Sequence, residues 1–137
     1  MDRSADWMAQ AEHMLSAARH LREGGFSDGA CFQSQQAALV AIDFFRYTYH
    51  TGERDRPIVE LLDGLKRAMT VPDGIREAAT DLDRMALLYL DPQSLEDGSL
   101  DPRLTVDDAN RAIDESKLVI EFAKGQVAGL GHGARKP

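Results

Sequence analysis

Between Ala37 and Phe45 the only charged side chain is Asp43, while Leu39, Val40, Ile42, Phe44 and Phe45 point in all directions around a helix axis. A helix that is apolar around its whole circumference has no face to give to water. Such a segment is the central element of a domain, or it covers a second surface, most simply another copy of the chain. Both roles are expected here together, which makes Leu39, Val40, Ile42, Phe44 and Phe45 candidates for a homodimer interface.

The rest of the chain reads as helices around that segment. Trp7, Ala11, Met14, Ala18 and Leu21 are spaced alternately four and three apart and draw one apolar stripe down a first helix, capped by Ser4 or Asp2. Gly24-Gly25 ends it, because glycine accepts the left-handed cap conformation, and so short a connection sends the next helix back antiparallel. That second helix starts at Ser27 or Asp28 and runs to about His50. Pro57 sits in the first turn of a short third helix with Ile58, Leu61, Leu62, Leu65 and Met69 on its buried side. Pro72 opens a fourth helix, with Ile75, Ala79, Leu82 and Met85 on one face and the pair Asp81 and Arg84 outside. Residues 91–104 hold Pro92, Gly98 and Pro102 and read as a long loop. Thr105-Val106-Asp107-Asp108 resembles a capping box, and the last helix carries Val106, Ala109, Ile113, Ser116, Ile120, Ala123 and Val127. The expectation is an all-α, antiparallel up-down bundle of about five helices, a four-helix core plus a short helix. It forms one domain over residues 1–128, followed by a disordered tail over 129–137.

Composition narrows the function. With 137 residues, 43% hydrophobic and 28% charged, the chain can bury one continuous core. Its 23 acidic and 16 basic residues give a net charge of −7, which argues against tight, sequence-indifferent binding of RNA or DNA. The single cysteine, Cys31, excludes an intramolecular disulfide and suits a reducing cytosol. No apolar signal core opens the chain, and no run approaches the roughly 18 apolar residues a membrane span needs. The expectation is a cytoplasmic protein with no membrane partner.

Gly24-Gly25-Phe26-Ser27-Asp28-Gly29-Ala30-Cys31-Phe32-Gln33-Ser34-Gln35-Gln36-Ala37-Ala38 resembles the entry into the second helix of the HEPN family, with its Gln-Gln-Ala pattern. Val59-Glu60-Leu61-Leu62-Asp63-Gly64-Leu65 is similar to that family's third helix. Asp107-Asp108-Ala109, Ala112 and Val119-Ile120-Glu121-Phe122 are similar to its last. The resemblance spans roughly residues 5–125. It implies a helical bundle that dimerises and that is often partnered by a minimal nucleotidyltransferase in a toxin–antitoxin pair. Active members are metal-independent ribonucleases with an Arg-x(4–6)-His motif near the last helix. This chain departs from that motif. The family's Arg-Tyr-Pro loop appears as Leu90-Asp91-Pro92, and neither Arg103 nor Arg111 has a His at the needed distance. Such cleavage needs a base for the 2′-OH and a cation for the phosphorane, and the second is lost with that arginine.

Candidate sites follow from the residues. Arg46 and His50, four apart on the second helix, share a face. They form either a displaced Arg/His phosphate site, with Tyr47 or Tyr49 stacking a base, or an Asp43 ion pair beside a histidine at the negative end of the helix dipole. Gln35 and Gln36 are amides in an apolar helix, and buried amides need partners. They are candidates, with Tyr47, for binding a nucleotide or other small ligand, or else they bond neighbouring helices. Cys31 reads as a small buried apolar residue, with the alternative of a lowered thiol pKa near a helix start. His13 and His20 lie two turns apart and read as surface, so no metal site and no cofactor are expected. The expectation is a non-catalytic, homodimeric HEPN-like interaction module, with a minimal nucleotidyltransferase as the partner that the resemblance implies. The alternatives are a ribonuclease using Arg46 and His50, or a ligand-binding bundle.

Overall fold

The structure, a computed structural model, describes residues 3–52, 55–91 and 104–134, the last four by backbone alone. Five helices follow in order: α1 (Ser4–Glu23), α2 (Ser27–Tyr49), α3 (Ile58–Gly64), α4 (Asp73–Leu90) and α5 (Val106–Ala134). Among the described residues there is no strand, and the all-α bundle of four long helices plus a short one is as expected. Most of residues 91–104, read as a long loop, lies outside the described residues.

α2 is the central element and packs against each of the other four helices. The turn that sets it antiparallel to α1 follows from local chemistry. Gly25 adopts φ +87°, which an L side chain rarely does, and this lets Phe26 N donate to Leu21 O (2.8 Å) and Gly25 N to Arg22 O (3.1 Å). Those two bonds close a Schellman cap on the α1 carbonyls. At the other end of α2, His50 takes the left-handed role at φ 56° and Thr51 N donates to Arg46 O.

α5 starts as read. Thr105 N donates to Asp108 Oδ2 at 2.8 Å and Asp108 N to Thr105 Oγ1 at 3.3 Å, a capping box with Asp in the acceptor position. It runs antiparallel to α1, joined by Arg22 to Asn110 near one end and Lys124 to Glu12 near the other.

Three expectations are corrected. In α1 the fully buried side is Met8, Ala11, Leu15 and Ala18, while Trp7, Met14 and Leu21 are half-buried at its margin. Trp7-Met8 and Met14-Leu15 are adjacent apolar pairs, so two stripes one residue apart fit the same alanines. Ser4 is the first helical residue, preceded by Arg3. Finally, α5 does not stop at residue 128 but continues to Ala134. Val127 and Leu130 pack against the core and carry the helix through Gly129, whose cost is about 1 kcal/mol.

Candidate functional site

The apolar segment of α2 divides into an inner and an outer side. Ile42, Phe44 and Phe45 are 0%, 7% and 0% exposed within the single chain. They belong to the core, so they are not available to a second copy, and their assignment to a dimer interface is corrected. Phe44 and Phe45 meet edge-on at 5.1 Å, and Phe44 also touches Trp7. Leu39 and Val40 are half-buried. Helical spacing sets them on one outward stripe with Phe32, Gln36, Asp43 and Tyr47. Asp43, the charge in the middle of this stripe, accepts hydrogen bonds from Arg46, and that contact holds the Arg46 guanidinium firmly protonated.

Beside the stripe, between α2, α4 and the residues Asp55, Arg56 and Pro57 that lead into α3, runs a groove of about 590 Å³. Phe32, Gln36 and Leu39 form one wall, and Leu87 and Leu90 of α4, at 60% and 64% exposed, form the other. Phe32 stacks on Tyr89 at 4.9 Å. In the sequence Leu90 stands out only as the residue in place of the family's arginine and Leu87 not at all; their place on this groove, past the core-facing Leu82 and Met85, becomes visible only with the fold.

At the floor of this groove the two glutamines have a structural task. Gln35 is buried and donates through Nε2 to Asp83 Oδ1 (3.0 Å), while Gln36 Nε2 donates to Gln35 Oε1 (2.7 Å). Asp83 in turn accepts from the Ile58 and Val59 backbone N–H groups, both at 3.0 Å. These are the first donors of α3, whose N-cap, Pro57, supplies no side-chain acceptor. A carboxylate on α4 therefore caps α3 in trans, and Gln35 orients it. Tyr47 lies on the same stripe as Gln36 but about 16 Å further along the helix axis. It stacks on Trp7 at 6.1 Å, so the structure does not bring it together with the glutamines.

Arg46 and His50 divide in the same way: Arg46 is held by Asp43, and His50 is the exposed left-handed cap of α2. Cys31 is fully buried, and burial first, then the charge of Asp108, pushes its thiol up to about 12. It is an inert core residue, which corrects the idea of a lowered thiol pKa. His13 and His20 are exposed beside a shallow apolar cleft with Leu21, Phe26 and Gln33. Among the described residues no group of three or more metal-ligating side chains occurs, and no helix is long and apolar enough to cross a membrane.

A second polar cluster lies along the α4–α5 seam. Arg111 reaches Asp81 (2.8 Å) and Asp108 (3.0 Å), and Arg84 pairs with Asp81 from the same helix (2.9 Å). Glu115 lies beside them, its buried Oε1 3.8 Å from Arg111 Nε and receiving no N–H or O–H from the described residues. Sequence spacing shows Asp81 and Arg84 only as a surface pair; the cluster depends on the register of α4 against α5.

Comparison with known proteins places this geometry. The family model described as "HEPN domain" matches residues 4–126. The solved structure of TT1696 from Thermus thermophilus is similar at TM-score 0.80 and 28% identity, covering 91% of this chain and 98% of that one. ST0689, described as an archaeal HEPN homologue, is similar at TM-score 0.73 and 30% identity over 93% and 99%. A HEPN domain protein of Thermotoga maritima, tm0613, shares the fold at TM-score 0.69 and 22% identity over 90% and 98%. No curated protein matches the chain. With nearly its whole length matched by the family model and its five helices by these folds, the chain belongs to the HEPN domain family.

Proposed function

We propose that this chain is a non-catalytic HEPN interaction module whose outward α2 stripe docks against a second copy of itself. The observation that carries the reading is the half-buried run of Phe32, Gln36, Leu39 and Val40, flanked by the exposed Leu87 and Leu90. On the α2 stripe itself Asp43 and Arg46 satisfy one another, so a two-fold partner can cover that part of the surface without burying an unpaired charge, while Asp55 and Arg56 lie at the groove. A stable dimer buries about 800 Å² per partner, and the apolar centre of such an interface supplies most of its affinity.

The arginines support the absence of catalysis in this reading. Arg46, Arg76, Arg84 and Arg111 are each held by a carboxylate, and the chain carries a net charge of −7. At these four a phosphate would have to displace a carboxylate, and anywhere it would approach an acidic molecule. The heterologous partner we assign is a minimal nucleotidyltransferase, on family likeness alone, and the dimer is the form it would meet.

Sedimentation velocity at micromolar concentration tests the docking surface. The wild-type chain is expected to be a dimer, and Leu39→Glu, which puts a charge at the centre of the stripe, is expected to be a helical monomer. A wild-type monomer at these concentrations defeats the proposal. Co-expression with a nucleotidyltransferase encoded next to this gene tests the second partner separately.

A further inference from the structure

The α4–α5 seam has more carboxyl groups than cations. Among the described residues, Asp81 on α4 and Asp108 and Glu115 on α5 are paired only with Arg84 and Arg111, and Asp81 and Glu115 both lie against Arg111 Nε, at 2.8 and 3.8 Å. Glu115 Oε1 is buried and receives no donor from the described residues, Arg111 Nε at 3.8 Å being beyond hydrogen-bond range, and two neighbouring carboxyl groups can bond only if one of them keeps a proton. Charge balance gives the same answer. Three ionised carboxyls and two guanidinium groups leave the cluster at net −1, with the further negative charge of Asp28 nearby, and one retained proton lowers that excess.

We propose that the α4–α5 seam is latched by a proton: Glu115 donates it to Asp81 in the folded chain, and its loss to solvent in alkaline conditions leaves two facing carboxylates that weaken the seam.

The groups around the pair are Asp81, Arg84 and Met85 from α4, Asp108 and Arg111 from α5, and Asp28 and Cys31 from α2; Arg22 of α1 ends on the neighbouring Asn110. Burial first, then the hydrogen bond and charge of Asp81, pushes the Glu115 carboxyl from its ordinary 4.5 up to about 8. The folded chain therefore keeps a proton that the unfolded chain releases. The stability associated with it is fully present below about 4.5 and is lost as pH rises through about 8. Asp81 acts in the opposite sense. Burial raises its carboxyl, but hydrogen bonds from Glu115, Arg111 and Arg84 outweigh that and hold it well below its ordinary 3.8, so its contribution is lost only in strong acid. The two windows do not overlap.

Urea unfolding of the full chain at fixed concentration, from mildly acidic to mildly alkaline pH, tests the latch. The wild-type unfolding constant is expected to rise by up to about tenfold per pH unit until Glu115 ionises in the folded state, then level off. Glu115→Gln, whose amide donates to Asp81 at every pH, is expected to remove that slope. Equal slopes in the two proteins would overturn the proposal. If the variant does not fold, carbon NMR of the wild-type Glu115 side chain decides the matter: a midpoint near 8 supports the latch, and one in the ordinary glutamate range overturns it.

Discussion

Asp83 is the side chain whose removal should tell most about how this bundle holds together. Its two oxygens accept three hydrogen bonds, from the Ile58 and Val59 amides that begin α3 and from the buried Gln35 amide of α2. In Asp83→Ala the start of α3 has no cap, because Pro57 supplies none, and losing a cap costs about 1 kcal/mol. The Gln35 amide, 5% exposed, is also left with an unsatisfied N–H group, which costs about 1–3 kcal/mol more. The expected loss is about 2–4 kcal/mol, a large share of the roughly 5–15 kcal/mol that holds a domain together. For a chain of this size that corresponds to a fall of about 10 °C in Tm.

Two measurements separate this account from a general loss of stability. Hydrogen exchange should show the Ile58 and Val59 amides losing protection far more than amides in the middle of α5. Adding Gln35→Met to Asp83→Ala should recover about 1–2 kcal/mol, because the orphaned amide is replaced by an apolar chain of similar shape. An Asp83→Ala cost below about 1 kcal/mol, or strict additivity of the two substitutions, would refute the cap in trans.

Two further substitutions test other parts of the structure by urea unfolding. Ser116 is fully buried, and its Oγ has no hydrogen-bond partner among the described residues, so Ser116→Ala should be neutral or stabilise by about 1 kcal/mol; a cost above that would mean the hydroxyl has a partner. Gly129 is helical and exposed, with open space where a Cβ would stand, so Gly129→Ala should stabilise by about 0.5–1 kcal/mol, with Gly125→Ala as the mid-helix reference. No effect at residue 129 beside a gain at 125 would return that segment to the disordered tail expected from sequence.

How far the sequence could be read depended on contrast between polar and apolar neighbours. In α4, Asp81, Asp83 and Arg84 flank the apolar positions, and the face read from sequence, Ile75, Ala79, Leu82 and Met85, is the buried one. In the middle of α2 that contrast is missing. Leu39 and Val40 cannot be told from Ile42 and Phe45 by composition, and only the places of the helices packed on α2 decide that the first pair faces outward and the second inward. The capping box of α5 was legible because its partners lie three residues apart. The α3 cap was not, because Asp83 comes from another helix much later in the chain. The seam cluster was hidden for the same reason, since Asp81 meets Arg111 only once α4 and α5 are set side by side.

These observations meet in α4. Asp81 and Asp83 are two residues apart, so they leave the helix on nearly opposite sides, one toward α5 and the other toward α2 and α3. Charged hydrogen bonds thus fix the position of α4 against neighbours on both flanks, where apolar contacts alone would allow some sliding. The same helix carries Leu87 and Leu90 as one wall of the groove proposed for docking. Removing the Asp83 contacts should therefore reduce dimerisation as well as α3 protection, whereas Leu39→Glu should abolish dimerisation and leave α3 protected. A Leu39→Glu chain that loses protection at Ile58 and Val59 would mean that the groove and the cap are one structural unit, and the role of α4 as an independent strut would be wrong.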